Sequence, residues 1–346
     1  MTEAALGDRA SPEPRSFPPA FAFAVPAIVG VATMLMLGPT IFTEGMRDWV
    51  VYRDAGQRLA AGAPIYVSSA GAYLFDYPPA TAAIWSIGLT PVIWLLAKVV
   101  ALVALAAVIG WPLGIPAVVL LLLTPSLQHD LVLGNFSTFY CLALSWSVLR
   151  PGRTGSIPLG LLLAIAVKPV IGPYLLWLLL VRRSDFGWLV LTAAAASAIV
   201  ATMIGPGIYI DYLATLPRAS SLATAWPGNI GLAAISPLLG TVGVAASYAV
   251  AIVAARRHSV PLVIGALMFA QPSYGVAYGL LLVPAVVVIY RERQTIGITL
   301  AAVLPALLWL TYAPVAGLVT MLAGMAAPGG TLWPPRRPRL RPRNAH

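Results

Sequence analysis

Clusters of arginine cut this chain into apolar blocks, and that punctuation restricts the possible folds more than any other feature. Arg150 with Arg153, Arg182 with Arg183, Arg256 with Arg257, Arg291 with Arg293, and a tail from Arg336 to Arg343 each follow an apolar run. Membrane spans leave that pattern, because their cytoplasmic ends collect Lys and Arg. Composition agrees: 60% of the 346 residues are apolar and 9% charged, against roughly a quarter charged in a soluble domain. The net charge of +10 reads as juxtamembrane anchoring, not nucleic-acid binding. The expectation is an all-α, polytopic transmembrane bundle in a bacterial plasma membrane.

If all five clusters are cytoplasmic, each interval between them holds an even number of crossings. Residues 154–181 divide at Lys168-Pro169, 186–255 around Pro206 to Asn229, 258–290 at Gln271 to Gly275, and 295–329 near Pro314. Each is a hairpin whose turn faces outward. Ahead of Arg150, spans at 20–42, 78–97, 99–124 and 134–149 complete the count, with Trp111-Pro112 a possible break. Ala20 to Phe42 lacks a small-x-small exit and reads as a retained span, not a cleaved leader. The total is 10–12 spans with both termini inside. Residues 1–19 form a cytoplasmic tail, 20–329 the membrane domain and 330–346 a basic tail. Runs such as 155–167 and 169–181 fall short of the ~20 residues that cross a bilayer, so broken or tilted helices around a cavity are expected.

The outward loops then hold most of the polar chemistry. The largest, 43–79, contains Glu44, Arg47, Asp48, Arg53, Asp54, Arg58 and Asp76. Within it, DWVVYRDAGQRLA (48–60) projects as an amphipathic interfacial helix. Trp49, Val51, Tyr52, Ala55 and Leu59 form its apolar arc. Asp48 falls in that arc and Asp54 opposite, where it can pair with Arg58. A carboxylate turned toward the bundle loses hydration and gains basicity, as a general base needs. The same residue also suits a helix N-cap.

Lys168 stands in an otherwise apolar hairpin, at a cost of about 3 kcal/mol on insertion scales. It either holds a phosphate or snorkels to the interface. His129 and Asp130 read as residues of an outer interface, since neighbours do not share a helix face. Asp76, before Tyr77-Pro78-Pro79, is a second acid of the cleft or a turn residue. Asn229 in WPGNIG binds hydroxyls or makes a turn. Trp49, Tyr66, Tyr73, Tyr77 and Trp226 suit an interfacial belt or sugar stacking. Cys141 is the only cysteine, so neither an intrachain disulfide nor a cysteine metal cluster can form. Asp48, Asp76 and Asp130 could converge on a divalent cation, but their spacing does not call for one. No cofactor is indicated.

From Asp48 the run DWVVYRDAGQRLAAGAPIY, followed by LFDYPPATAAI, resembles the opening of glycosyltransferase family 87 in the GT-C superfamily. LVLGNFSTFYCLAL resembles that family's Gly-Gln-x-Asn segment, with Asn135 in the Gln place and Ser137 in the Asn place. LLLAIAVKPVIGPYLLWLLLVRR resembles its Lys-Pro hairpin, and AQPSYGVAYGLLLVPA its segment ending Leu-Leu-Pro. The matches keep their order over about two thirds of the chain.

The resemblance implies transfer of mannose, or arabinofuranose, from a polyprenyl phosphate to a lipid or glycan acceptor on the outer face. Asp48 stands at the family's base position. Tyr52, Asp76, Tyr77, His129, Asn135, Lys168, Asn229 and Tyr278 are then candidates for binding substrate, with membrane lipid as the surrounding partner. Many members carry His before the last Leu-Leu-Pro, where this chain has Ala277 and Tyr278. That departure leaves the donor and acceptor class open and keeps an inactive assembly partner in view. A transporter or flippase of lipid-linked sugar is the rival from another class.

Overall fold

A computed structural model describes residues 46–67, 75–110, 113–224, 229–271, 275–310 and 313–326, with isolated positions between 28 and 35. The expected first span, Tyr73, Trp226 and both tails lie outside the described residues. Among those described, regular structure is helical throughout.

Most helices begin where the sequence supplies a start signal. Pro79, Pro91, Pro125, Pro237 and Pro261 occupy first turns, where a missing N–H costs nothing and φ is already helical. Thr90, Thr124 and Ser259 accept from the amides of Ile93, Leu127 and Leu262, satisfying donors a helix start leaves open.

The amphipathic helix α1 (Arg47–Ala60) is followed by the short α2 (Pro79–Trp85). Next come α3 (Pro91–Ile109), α4 (Gly114–Leu122), α5 (Pro125–Leu133), α6 (Ser137–Leu149) and α7 (Arg153–Ile165). A 3₁₀ turn, Pro169–Ile171, leads into α8 (Gly172–Val181), then α9 (Arg183–Ile204), α10 (Gly207–Thr224) and α11 (Pro237–Arg256). The last part holds α12 (Val260–Ala266), a 3₁₀ stretch at Val276–Leu282, α13 (Val283–Glu292), α14 (Gln294–Leu310) and α15 (Ala313–Ala326).

Three described helices, α3, α9 and α11, are long and apolar enough to cross a membrane. The pair α4 and α5, bent by 66°, adds a fourth if it is one span. These helices mark a membrane protein. Several expected boundaries move. A single helix, α3, runs through the division placed between 78–97 and 99–124. The real breaks are the left-handed Gly88 before Thr90-Pro91, and Gly110 at the other end. The polar stretch after Pro206 is largely helical, as α10.

The helices have two chemically distinct ends. At one, Arg182 pairs with Asp185 and donates to the Ser147 carbonyl at 3.0 Å, while the Gly152 amide donates to Asp185 at 3.1 Å. Arg153 lies 4.5 Å over the Trp188 ring, and Arg291 donates to the Ile109 carbonyl at 2.7 Å. The arginine clusters of α6, α7, α8, α9 and α13 thus gather together, as their common sidedness requires. The opposite ends of α6, α7 and α8 carry Ser137, Ile165 and Lys168. Helices α6 and α7 have 13 residues each, about 20 Å against a hydrocarbon core near 30 Å. Helix α9, packed on α7 where Gly160 meets Leu189, continues past Ile165 for about two turns, roughly 10 Å. The short helices therefore stop below the far end of α9.

Gly56 sets how α1 seats against the end of α2. A Cβ there would lie 2.5 Å from the Trp85 carbonyl carbon and 2.7 Å from the Ser86 amide nitrogen. Both are backbone and cannot rotate aside. Alanine favours a helix by up to about 1 kcal/mol, but overpacking of this kind costs about 1–3 kcal/mol. Gly56→Ala is therefore expected to lower the melting temperature of the detergent-solubilised protein. An unchanged or raised value would show that α1 and α2 are not in contact as described.

Candidate functional site

The site is assembled on the tight turn between α5 and α6. Gly134 ends α5 in the left-handed conformation (φ 73°), where a side chain would be strained. The next residue, Asn135, points into the gap between α1 and the Lys168 turn. Its Oδ1 accepts from Lys168 Nζ at 2.7 Å and from the Phe136 amide at 2.6 Å, and its Nδ2 donates to Asp48 Oδ2 at 2.6 Å. Three residues distant in sequence thus form one line: ammonium, amide, carboxylate.

Each member is held from behind. Asp48 sits in the first turn of α1, where Trp49, Tyr52, Ala55 and Gly56 form the buried face. Met46 is the residue before the helix, and no side chain caps it. The N-cap alternative for Asp48 is thereby set aside. Asp54 is exposed and pairs with Arg53 at 2.8 Å, not with Arg58 as its spacing suggested. Lys168, only 5% exposed, does not snorkel. It lies in extended backbone at the start of the 3₁₀ turn, where its carbonyl accepts from the Ile171 amide at 3.1 Å and its side chain makes no cap. Its Nζ stands 4.5 Å from the Tyr278 ring centre and 5.7 Å from that of Tyr140. The Tyr140 hydroxyl donates to the Ala166 carbonyl, fixing the strand of chain that delivers Lys168.

Beneath this line lies a second, fully buried pair. Lys98 Nζ approaches Asp130 Oδ2 at 2.5 Å and donates to the Asp130 carbonyl at 2.9 Å, and neither side chain is exposed. Asp130 also accepts from the Ser137 amide at 2.9 Å and the Thr138 hydroxyl at 2.6 Å, so it caps α6 from α5. Asp130 is therefore a buried structural anchor and not the interfacial residue expected. His129 faces elsewhere, half-buried, with Nδ1 unpaired among the described residues.

Aromatic rings pack around this line. Tyr52 meets Tyr77 edge to face at 4.8 Å, Trp85 at 4.9 Å and Phe136 at 5.1 Å. Farther out, Tyr66 lies 5.5 Å from Phe75 and 6.0 Å from Tyr212, and its hydroxyl donates to the Tyr77 carbonyl at 2.8 Å. Tyr52, Tyr66, Phe75 and Tyr77 of the first loop thus pack on one another. Asn229 is a turn residue here: its Oδ1 accepts from the Gly231 amide at 2.7 Å. Of the expected site residues the structure joins Asp48, Asn135, Lys168, Tyr278, Tyr52 and Tyr77 directly, with Asp76 within electrostatic reach. Lys98, Tyr140, Trp85, Trp94 and Phe136 went unnoticed in the sequence.

The Asp48 carboxyl is shifted by its surroundings. Burial raises its carboxyl above the ordinary value, while Lys168, the Asn135 hydrogen bond and Arg47 act in the opposite direction. Asp76 is solvent-exposed although protein surrounds it on its other sides, so water screens the charges that act on it. That surrounding bulk, with the Asp48 charge adding to it, pushes its carboxyl up to about 6. Among the described residues no group of three or more His, Cys, Asp and Glu could hold a metal ion. No family model matches this sequence, and no curated protein matches it.

The Asp76 shift has a sign that can be checked. A carboxyl raised in the folded state contributes stability at pH below its unfolded value, and loses it as pH rises through about 6. Asp76→Asn is therefore expected to melt higher than the parent at pH 7.5 and to flatten the decline between pH 4 and 7. A parent whose melting temperature rises over that interval, with no gain in the variant, would contradict the assignment.

Proposed function

We propose that this chain is an integral-membrane glycosyltransferase. It moves a sugar, mannose by first preference, from a polyprenyl-phosphate donor to a lipid or glycan acceptor on the outer face. The observation that carries the reading is the convergence of Asp48 and Lys168 on the Asn135 amide amid packed aromatic rings. A partly desolvated carboxylate beside a buried ammonium is what inverting transfer from a phosphate requires.

In this reading the acceptor hydroxyl approaches Asp48 Oδ1, which takes no hydrogen bond from the described residues. Asp48 removes the hydroxyl proton as that oxygen attacks the anomeric carbon from the face opposite the phosphate. The bond from the anomeric carbon to the phosphate oxygen breaks, and its electron pair leaves with the polyprenyl phosphate. That leaving group is already a weak base, so no strong acid has to protonate it. Lys168 retains ammonium donors beyond the one given to Asn135 and offsets the charge that develops. Tyr77 and Tyr278, both half-buried, offer ring faces and hydroxyls to the sugar, while the fully buried Tyr52 backs Tyr77. In this reading the site opens to the outer leaflet and the arginine-rich helix ends face the cytoplasm.

Incubation of the purified protein with polyprenyl-phosphate mannose, and separately with polyprenyl-phosphate arabinose, followed by mass analysis of the lipid products, tests the reading. Asp48→Asn is expected to reduce transfer by about 10²- to 10⁴-fold in protein that melts like the parent, and Asp54→Asn to leave it unchanged. Lys168→Ala is expected to weaken the donor more than the acceptor, with Lys168→Arg partly retaining it. Normal transfer by Asp48→Asn would end the base assignment, and absence of product from both donors in the parent would end the transferase reading.

A further inference from the structure

The Asn135 amide can adopt only one orientation. Lys168 Nζ, the Phe136 amide and, at 3.4 Å, the Ser137 hydroxyl all direct donors at its Oδ1. Reversing the amide would set its NH₂ against an ammonium and a peptide N–H, and its oxygen against a carboxylate. Nδ2 must therefore face Asp48. The turn cannot swing away either, since Asp130 caps the helix on one side of it and is itself pinned by Lys98. The charged groups around Asp48 are Lys168, Arg47, Asp130, Lys98 and Asp76, with the phenols Tyr52 and Tyr77. Lys168 is joined to Asp48 through the Asn135 side chain, one hydrogen bond on each side of the amide.

We propose that Asn135 is a positioning residue that holds Asp48 by Oδ2, leaves Oδ1 to receive a proton, and ties the carboxylate's basicity to whatever anion occupies Lys168. The purpose of this coupling rests on the transferase reading. While Lys168 carries an unbalanced positive charge, that charge reaches Asp48 through the polarised amide and favours the carboxylate form, a weaker base. A phosphate monoester seated on Lys168 offsets the charge, and Asp48 then binds a proton more readily. The base thus gains strength when the donor phosphate is in place. An acceptor arriving alone meets the weaker form, which orders the two substrates without a moving lid.

The test reads Asp48 directly. Infrared spectra of the full chain in nanodiscs, recorded against pH, yield the protonated-carboxyl band of Asp48 as the parent minus Asp48→Asn difference. Decyl phosphate is expected to move the Asp48 midpoint upward in the parent and to leave it in place in Lys168→Met. Asn135→Leu, which removes the amide donor at similar volume, is expected to raise the midpoint without any added anion. If that variant does not fold, Asn135→Ala removes the donor without adding a charge and is expected to shift the midpoint in the same direction. A midpoint unmoved by decyl phosphate in the parent, or unmoved in the folded Asn135 variant, overturns the proposal. Because the band needs no turnover, a protein that fails to transfer sugar yet shows both shifts refutes the transferase reading and keeps the coupling.

Discussion

The buried contact of Lys98 with Asp130 is the constraint on which the candidate site depends. Two charges out of water are costly, and their attraction offsets that cost only where further hydrogen bonds satisfy the remaining valences. Asp130 meets the condition. It accepts from Lys98, from the Ser137 amide and from the Thr138 hydroxyl, bonds worth about 1.5–3 kcal/mol each when one partner is charged. Those bonds tie α3, α5 and the start of α6 together. They also leave the turn Gly134 to Phe136 no freedom, so Asn135 has a fixed place from which to receive Lys168 and hold Asp48. Trp94 adds a fourth tie, donating from Nε1 to the Gly134 carbonyl at 2.8 Å.

A second constraint is length. Helices of 13 residues that begin at an arginine-rich surface end well short of the opposite one. Polar groups at their far ends consequently sit below the level of α9, sheltered by the amphipathic α1 and by aromatic rings. Irregular backbone at such a depth is tolerated where it lines a cavity or is packed in protein. The extended segment at Lys168 and the turn at Asn135 both satisfy that condition. Burial, short helices and a line of alternating charge are thus one arrangement, not three separate features.

Much of this was legible in the sequence. The arginine clusters marked one set of helix ends, and the periodicity of α1 placed Asp48 inward and Asp54 outward, as found. Lys168 was conspicuous as a lone cation in an apolar hairpin. Lys98 met the same criterion, standing alone in the 19 residues of α3, and was overlooked because the apolar run around it had been cut at that point. The partner of Asp130 was missed with it. Span boundaries failed where glycine ended a helix inside an apolar stretch, at Gly88 and Gly110, because hydropathy does not change there and only the backbone does. The Asn135 bridge could not be read at all: its partners lie 87 and 33 residues away, and no local pattern encodes such a meeting.

The most direct test of the two-ended arrangement is sidedness. In a Cys141→Ser background, single cysteines at Asp48→Cys and Arg150→Cys are exposed to a membrane-impermeant maleimide in intact cells and in inverted vesicles. The expected result is labelling of the Asp48 position from outside only and of the Arg150 position from inside only. Labelling of both from the same side would contradict the fold's polarity, and labelling of the Asp48 position from both sides would replace a one-faced transferase with a transport pathway.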